Sequence, residues 1–138
     1  MLIKKILVGV DGSTESREAI TFAAKIAKAA NASMLLVYVV EPRDAARQLP
    51  PELDIPEHSY AAALLRDLEG ECLRRGVPVE SRTASGPVAA ALSSMAQTEA
   101  ADLAVVGHRG RGAVVRAILG SVADKLVQIC QVPVLVVR

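Results

Sequence analysis

Tryptophan is absent, and two tyrosines and one phenylalanine supply all of the aromatic content, 2% of the chain. Proteins that grip single-stranded nucleic acid stack bases on several rings, so this composition argues against that class. An excess of one charge is missing as well. The 16 basic and 15 acidic residues leave a net charge of +1, and neither nucleic acid nor an anionic membrane surface is an expected partner. Cysteine is limited to Cys72 and Cys130, which have neither a C-x-x-C spacing nor a neighbouring histidine. That argues against a zinc site and a disulfide framework, and a reduced, cytoplasmic compartment is expected. Apolar runs are short, and none reaches the ~18 residues that a membrane-spanning helix requires. Lys4 and Lys5 before Ile6–Val10 imitate the opening of a signal peptide, but Asp11 ends that run. A soluble protein is expected.

What the sequence does contain is aliphatic bulk. Of 138 residues, 51% are apolar, chiefly Ala, Val, Leu and Ile, enough for one sizeable core and too few for two. A single domain over residues 1–138 is expected. Ile3 to Val10 reads as a buried parallel strand. Ser13 would cap a helix running to about Ala30, with Ile20, Ala23, Ala24 and Ala27 on one face and Asn31 as its stop. Ser33 to Val40 is a second strand. Glu41 to Glu57 carries Pro42, Pro50, Pro51 and Pro56 and is the one long irregular segment, of the kind that forms lids or binding loops. His58 is expected in that segment, with no partner in view.

Pro56 and Gly76 bound a second helix, with Leu64, Leu65, Leu68 and Cys72 toward the sheet. Val77 to Thr83 alternates apolar and polar residues and reads as an edge strand. Ser85-Gly86-Pro87 opens a third helix, Leu103 to Val106 forms a fourth strand, Gly120-Ser121 opens a fourth helix, and Pro133 to Val137 closes the chain as a fifth strand. Such alternation predicts an α/β fold with a doubly wound parallel sheet. Ligands of these sheets sit beyond the carboxyl ends of the strands, where the strand order reverses. Two loops therefore matter, Asp11-Gly12-Ser13 and the segment from Gly107 onward.

Gly107-His108-Arg109-Gly110-Arg111-Gly112 follows an apolar strand directly. Its glycines allow positive φ and close backbone approach, which suits an anion-binding nest of N–H groups. Gly120-Ser121 stands at the mouth of a helix whose free N–H groups and dipole favour phosphate. Arg109, Arg111 and Arg116 lie near enough in sequence to neutralise a polyanion. Neither a Walker A loop nor a dinucleotide fingerprint is present. The residues alone leave a phosphate site and a plain glycine turn both open. Ser121-x-x-Asp124 also reads as a capping box, and Asp11 as a cap or turn residue.

Gly107-x-x-Gly110, nine residues, then Gly120-Ser121 resembles the ATP-binding signature of the universal stress protein family, G-2x-G-9x-G-(S/T). The likeness extends to Ile6–Ser13, Ala101–Gly107 and Val132–Val137. It implies a Rossmann-like, five-stranded sheet of order 3-2-1-4-5 with four helices, and a switch point between strands one and four. It implies ATP, accompanied by magnesium or manganese. On these positions it implies an adenine pocket lined by Val10 and Val39, with the Val39 backbone at the adenine edge. Asp11 would lie beside the adenosine, and Gly107, His108, Arg109, Gly110, Gly120, Ser121 and Val122 around the phosphates. Homodimers are frequent in the family, and the bare apolar strand Pro133–Val137 suits one. The family often carries cysteine before the proline of strand five; Val132 stands there, and no thiol function is expected.

An ATP-dependent regulatory module in stress responses is the leading function. A slow ATPase or adenylate-handling enzyme is the alternative, and a nucleotide-free dimeric scaffold ranks last. No clear catalytic base is present. A phosphoacceptor receiver domain shares the element rhythm but needs an acceptor Asp after strand three, where Thr83-Ala84-Ser85 stands.

Overall fold

Lys5–Gly9 forms β1 at the middle of the sheet, where its aliphatic side chains are covered on both faces. The computed structural model describes residues 2–41, 55–109 and 119–138. After β1 come α1 (Thr14–Ala30), β2 (Ser33–Val40), α2 (Ile55–Arg74), β3 (Val79–Ser85), α3 (Val88–Thr98), β4 (Leu103–Gly107), α4 (Ser121–Ile129) and β5 (Val134–Val137). All pairings are parallel, in the order β3-β2-β1-β4-β5, so the chain reverses direction across the sheet between β1 and β4. This is the five-stranded Rossmann-like arrangement with four helices.

Alternation along the strands divides the core in two. Ile6, Val8, Met34, Leu36 and Tyr38 face α1 and α2, whereas Leu7, Leu35, Val37, Ala104 and Val106 face α3 and α4. Ala19, Ala23 and Ala27 are wholly buried on α1, and their small side chains let that helix lie close against the sheet. Its ends follow local chemistry. Ser13 Oγ accepts from Ser16 N at 3.1 Å, and Asn31 closes the helix in the left-handed region at φ 58°.

Two boundaries differ from expectation. β3 begins at Val79 rather than Val77, because the Val77 N–H is taken by Cys72 O at 3.1 Å to close the end of α2. Val77 keeps its apolar position and is buried, but outside the ladder. α2 begins at Ile55, so His58 lies in that helix rather than in the irregular segment. Cys72 is buried in the α1/α2 core, and burial pushes its thiol pKa upward. At the amino end of the strands, Asp102 accepts from Lys4 N at 2.8 Å and Lys5 N at 3.1 Å. These two backbone donors hold its pKa below the ordinary carboxylate value.

Candidate functional site

The turn after β1 is built around Asp11. Its Oδ1 accepts from Ser13 N at 2.9 Å and Ser13 Oγ at 2.5 Å, while Ser13 caps α1. Asp11 thus stabilises the turn and presents its carboxyl group at the carboxyl end of β1. Gly12 stands at φ +84°, a conformation that side chains resist. Ser16, buried in the first turn, donates its hydroxyl to Ser13 O at 3.1 Å and completes the loop.

At the end of β4, Gly107 meets the first turn of α1. A Cβ there would fall 2.8 Å from both the carbonyl carbon and the oxygen of Glu15, so only glycine fits. Close approach, not positive φ, is what Gly107 provides: it is not among the described glycines with positive φ. Glu15 is also within 4.0 Å of the Arg109 guanidinium. Arg109 Nε donates to His108 Nε2 at 3.0 Å, which leaves His108 Nδ1 as the protonated nitrogen facing Val137 O at 3.3 Å. The His108 main chain donates to Val137 O at 2.8 Å and accepts from Gly120 N at 2.6 Å. His108 is therefore a half-buried clamp between β4, β5 and α4, not a solvent-facing loop residue.

The His108–Gly120 bond draws the two glycine segments together at the switch point. Gly110, Arg111, Gly112 and Arg116 lie outside the described residues. Gly120 is the N-cap of α4, at φ −64° and ψ 158°, and no side chain caps the helix. The expected Ser121–Asp124 capping box is not formed, because Ser121 stands one position inside the helix. Asp124 instead accepts from Gln128 Nε2 at 3.1 Å. The first helical bond runs from Asp124 N to Gly120 O, so the N–H groups of Ser121, Val122 and Ala123 have no helical acceptor. They point out of the helix mouth together with its positive dipole end. The Val122 side chain packs against the α3/α4 core, leaving its backbone to the site.

Val10 is buried and donates its N–H to Val37 O at 3.0 Å, beyond the last β1–β2 pair, Gly9 with Val37. Alternate residues of β2 direct their peptide groups toward β1, and Val39 is the next in that series. Its N–H and C=O thus face the gap where β1 has turned away, and its side chain packs on the α3/α4 face. Val10, Asp11, Val39, Gly107, His108, Arg109, Gly120, Ser121 and Val122 all lie at the carboxyl end of the sheet. Sequence reasoning missed Glu15 and Tyr60. Tyr60 is exposed on α2, four residues before the buried Leu64, and that spacing is the signal that points to it. Among the described residues, no three acidic, histidine or cysteine side chains cluster as metal ligands.

The family model described as universal stress protein family matches residues 2–138. The chain belongs to the universal stress protein family. It is 33% identical over 144 residues to a universal stress protein of Methanocaldococcus jannaschii, spanning 99% of this chain and 83% of that protein. It spans about half of the Mycobacterium tuberculosis universal stress protein Rv1996, 96% of this chain against 47% of that one, at 32% identity. Among solved structures, the hypothetical protein MJ0577 superposes with a TM-score of 0.91 at 22% identity, over 99% of this chain and 96% of that one. That likeness is one of fold. A universal stress protein in complex with cAMP superposes with a TM-score of 0.75 at 28% identity, over 100% of this chain and 98% of that one. No helix among the described residues is long and apolar enough to cross a membrane.

Proposed function

We propose that this universal stress protein binds an adenine nucleotide, ATP in particular, at the carboxyl ends of β1, β2 and β4, as a nucleotide-dependent regulatory module in stress responses. One observation carries the reading. The Gly120–His108 bond sets the uncapped first turn of α4 beside the end of β4, so three backbone N–H groups and a helix dipole converge where a polyphosphate would lie. The Val39 peptide, facing the gap left by β1, offers a donor and an acceptor to an adenine edge. The cAMP complex of a relative 28% identical supports an adenine ligand, and the G-2x-G-9x-G-S spacing supports a phosphate chain.

The donor set suits a phosphate-bound divalent ion, magnesium or manganese. Such ions take one or two carboxylates and draw their other ligands from phosphate and water. Asp11 and Glu15 are carboxylates at the site: Asp11 accepts from Ser13, and Glu15 lies 4.0 Å from the Arg109 guanidinium. No step of catalysis is assigned to these residues.

The same reading takes the chain as one domain acting in the cytoplasm, as a homodimer through β5. In that strand Val134 and Val136 direct their N–H and C=O groups away from β4, leaving an open apolar edge for a second copy. Mass spectrometry of ligand released from the purified protein tests the central claim, with Gly120→Val as comparison. ATP or ADP recovered from the wild type and lost from the variant is the expected result. Protein that carries none, and binds none in calorimetry with magnesium, sinks it. Repeated turnover with added magnesium moves the reading to an ATPase.

A further inference from the structure

β3 is one of the two outer strands of the sheet, and among the described residues no strand pairs with its far side. Met34 N donates to Pro78 O at 2.9 Å and Gly86 N to Val40 O at 3.2 Å, and between them the register runs from Met34–Val79 to Val40–Ser85. Glu80, Arg82 and Ala84 therefore exchange bonds with β2, whereas Ser81 and Thr83 turn their N–H and C=O groups outward. The side chains of these two lie on the α2 side of the sheet, where the Ser81 hydroxyl donates to Glu69. Ala62, Leu65, Arg66 and Glu69, spaced i, i+3, i+4 and i+7, form the facing wall on α2. Strand and helix flank an open groove of about 350 Å³. The helix wall is held in place: the Tyr60 hydroxyl lies against Gly12, and Arg17 of α1 meets Asp67 and Glu71 at 3.4 and 3.5 Å.

We propose that this groove receives an extended segment of a partner protein, which adds to β3 as a sixth strand and presents an acidic residue to Arg66. Outward peptide groups on one wall suit an extended backbone, and the helical stripe opposite reads its alternate side chains. Ala62 is small and Leu65 is buried, so the groove takes short aliphatic side chains between them. Charge selects the rest. Glu69 is engaged by Ser81, and Arg82 is paired with Glu80 at 2.9 Å and Glu99 at 3.6 Å. Arg66 is exposed and makes no ion pair among the described residues. A second copy does not supply its counter-ion. Antiparallel pairing with another β3 would lay Val79, Ser81, Thr83 and Ser85 against α2, and β5 carries only valine and leucine. None of these is acidic, so the occupant is a different protein.

The test selects binders for the full chain from a random library of short peptides and measures them by calorimetry. Enriched peptides are expected to alternate small aliphatic residues with one Asp or Glu. Arg66→Glu should weaken them roughly three- to tenfold, and a peptide with Lys in place of its acid should recover affinity for that variant. Thr83→Pro removes one outward N–H, leaves the bonds to β2 intact and should weaken binding by a similar factor. Amide exchange should slow at Ser81 and Thr83 when peptide is bound. A library that yields no binder, peptides that bind both variants as well as wild type, or slowed exchange confined to other strands overturns the proposal. So does slow exchange at Ser81 and Thr83 in the protein alone that deepens with its concentration, because a second copy then fills the groove. Nucleotide is left out throughout, so failure here leaves the ATP reading standing.

Discussion

Gly107 and Glu15 touch across the site, and that contact explains a glycine which the family resemblance assigns to the ligand. The 2.8 Å separation from the Glu15 main chain leaves no flexible neighbour to move aside. Gly107→Ala is therefore expected to cost on the order of 1–3 kcal/mol of stability, read as a lower urea midpoint. A wild-type midpoint would show that α1 shifts freely at its first turn.

Asp102 makes a prediction at the other end of the sheet. Its pKa is lowered by the Lys4 and Lys5 N–H groups, so its stabilisation is present above the ordinary value of 3.8 and lost as pH falls through the lower folded value. Urea unfolding of wild type and Asp102→Asn should therefore differ at neutral pH and converge in acid below that value. A gap that stays constant down to pH ~2 would remove the charge-assisted role.

At the scale of elements, α4 separates structural need from ligand binding. Proline suits the first position of a helix, and Gly120 at ψ 158° already has the extended conformation that a residue before proline requires. Ser121→Pro should keep helical circular dichroism and thermal stability close to wild type while deleting one N–H at the helix mouth. Calorimetry should show ATP binding weakened by roughly tenfold or more, with Ser121→Ala reporting the hydroxyl separately. Equal affinity in Ser121→Pro would mean that the phosphates lie elsewhere.

Most elements were readable because their signals are local. Ser13 and Asn31 end α1 through bonds to neighbours within one turn, and the apolar periods of β2 and α2 repeat within short windows. The start of β3 was misjudged because Val77 satisfies an apolar period while its N–H serves the end of α2. The capping box failed for a related reason: Ser-x-x-Asp does not state which residue leaves helical φ, and here Gly120 does.

On the scale of the whole molecule, β5 offers a test of assembly. Pro133 O and Val137 O accept bonds from β4 and the residue after it, so Val134 and Val136 turn their N–H groups outward. Val136→Pro removes an outward donor without touching the β4 ladder, a position where edge strands tolerate proline. If copies pair through this edge, light scattering should show the wild-type dimer shift toward monomer with unchanged secondary structure. A wild type that is monomeric at high concentration removes the edge-pairing proposal.

Element order and the two ends of α1 follow from the sequence by itself, because caps, turns and apolar periods act between near neighbours. The tertiary structure decided which side chains the two loops at the reversal of the sheet receive. Glu15 against Gly107, the Gly120 N–H on His108 O, and the Tyr60 hydroxyl over Gly12 join residues on different elements. Only packing of helices onto a twisted sheet fixes such distances, and no local pattern encodes them.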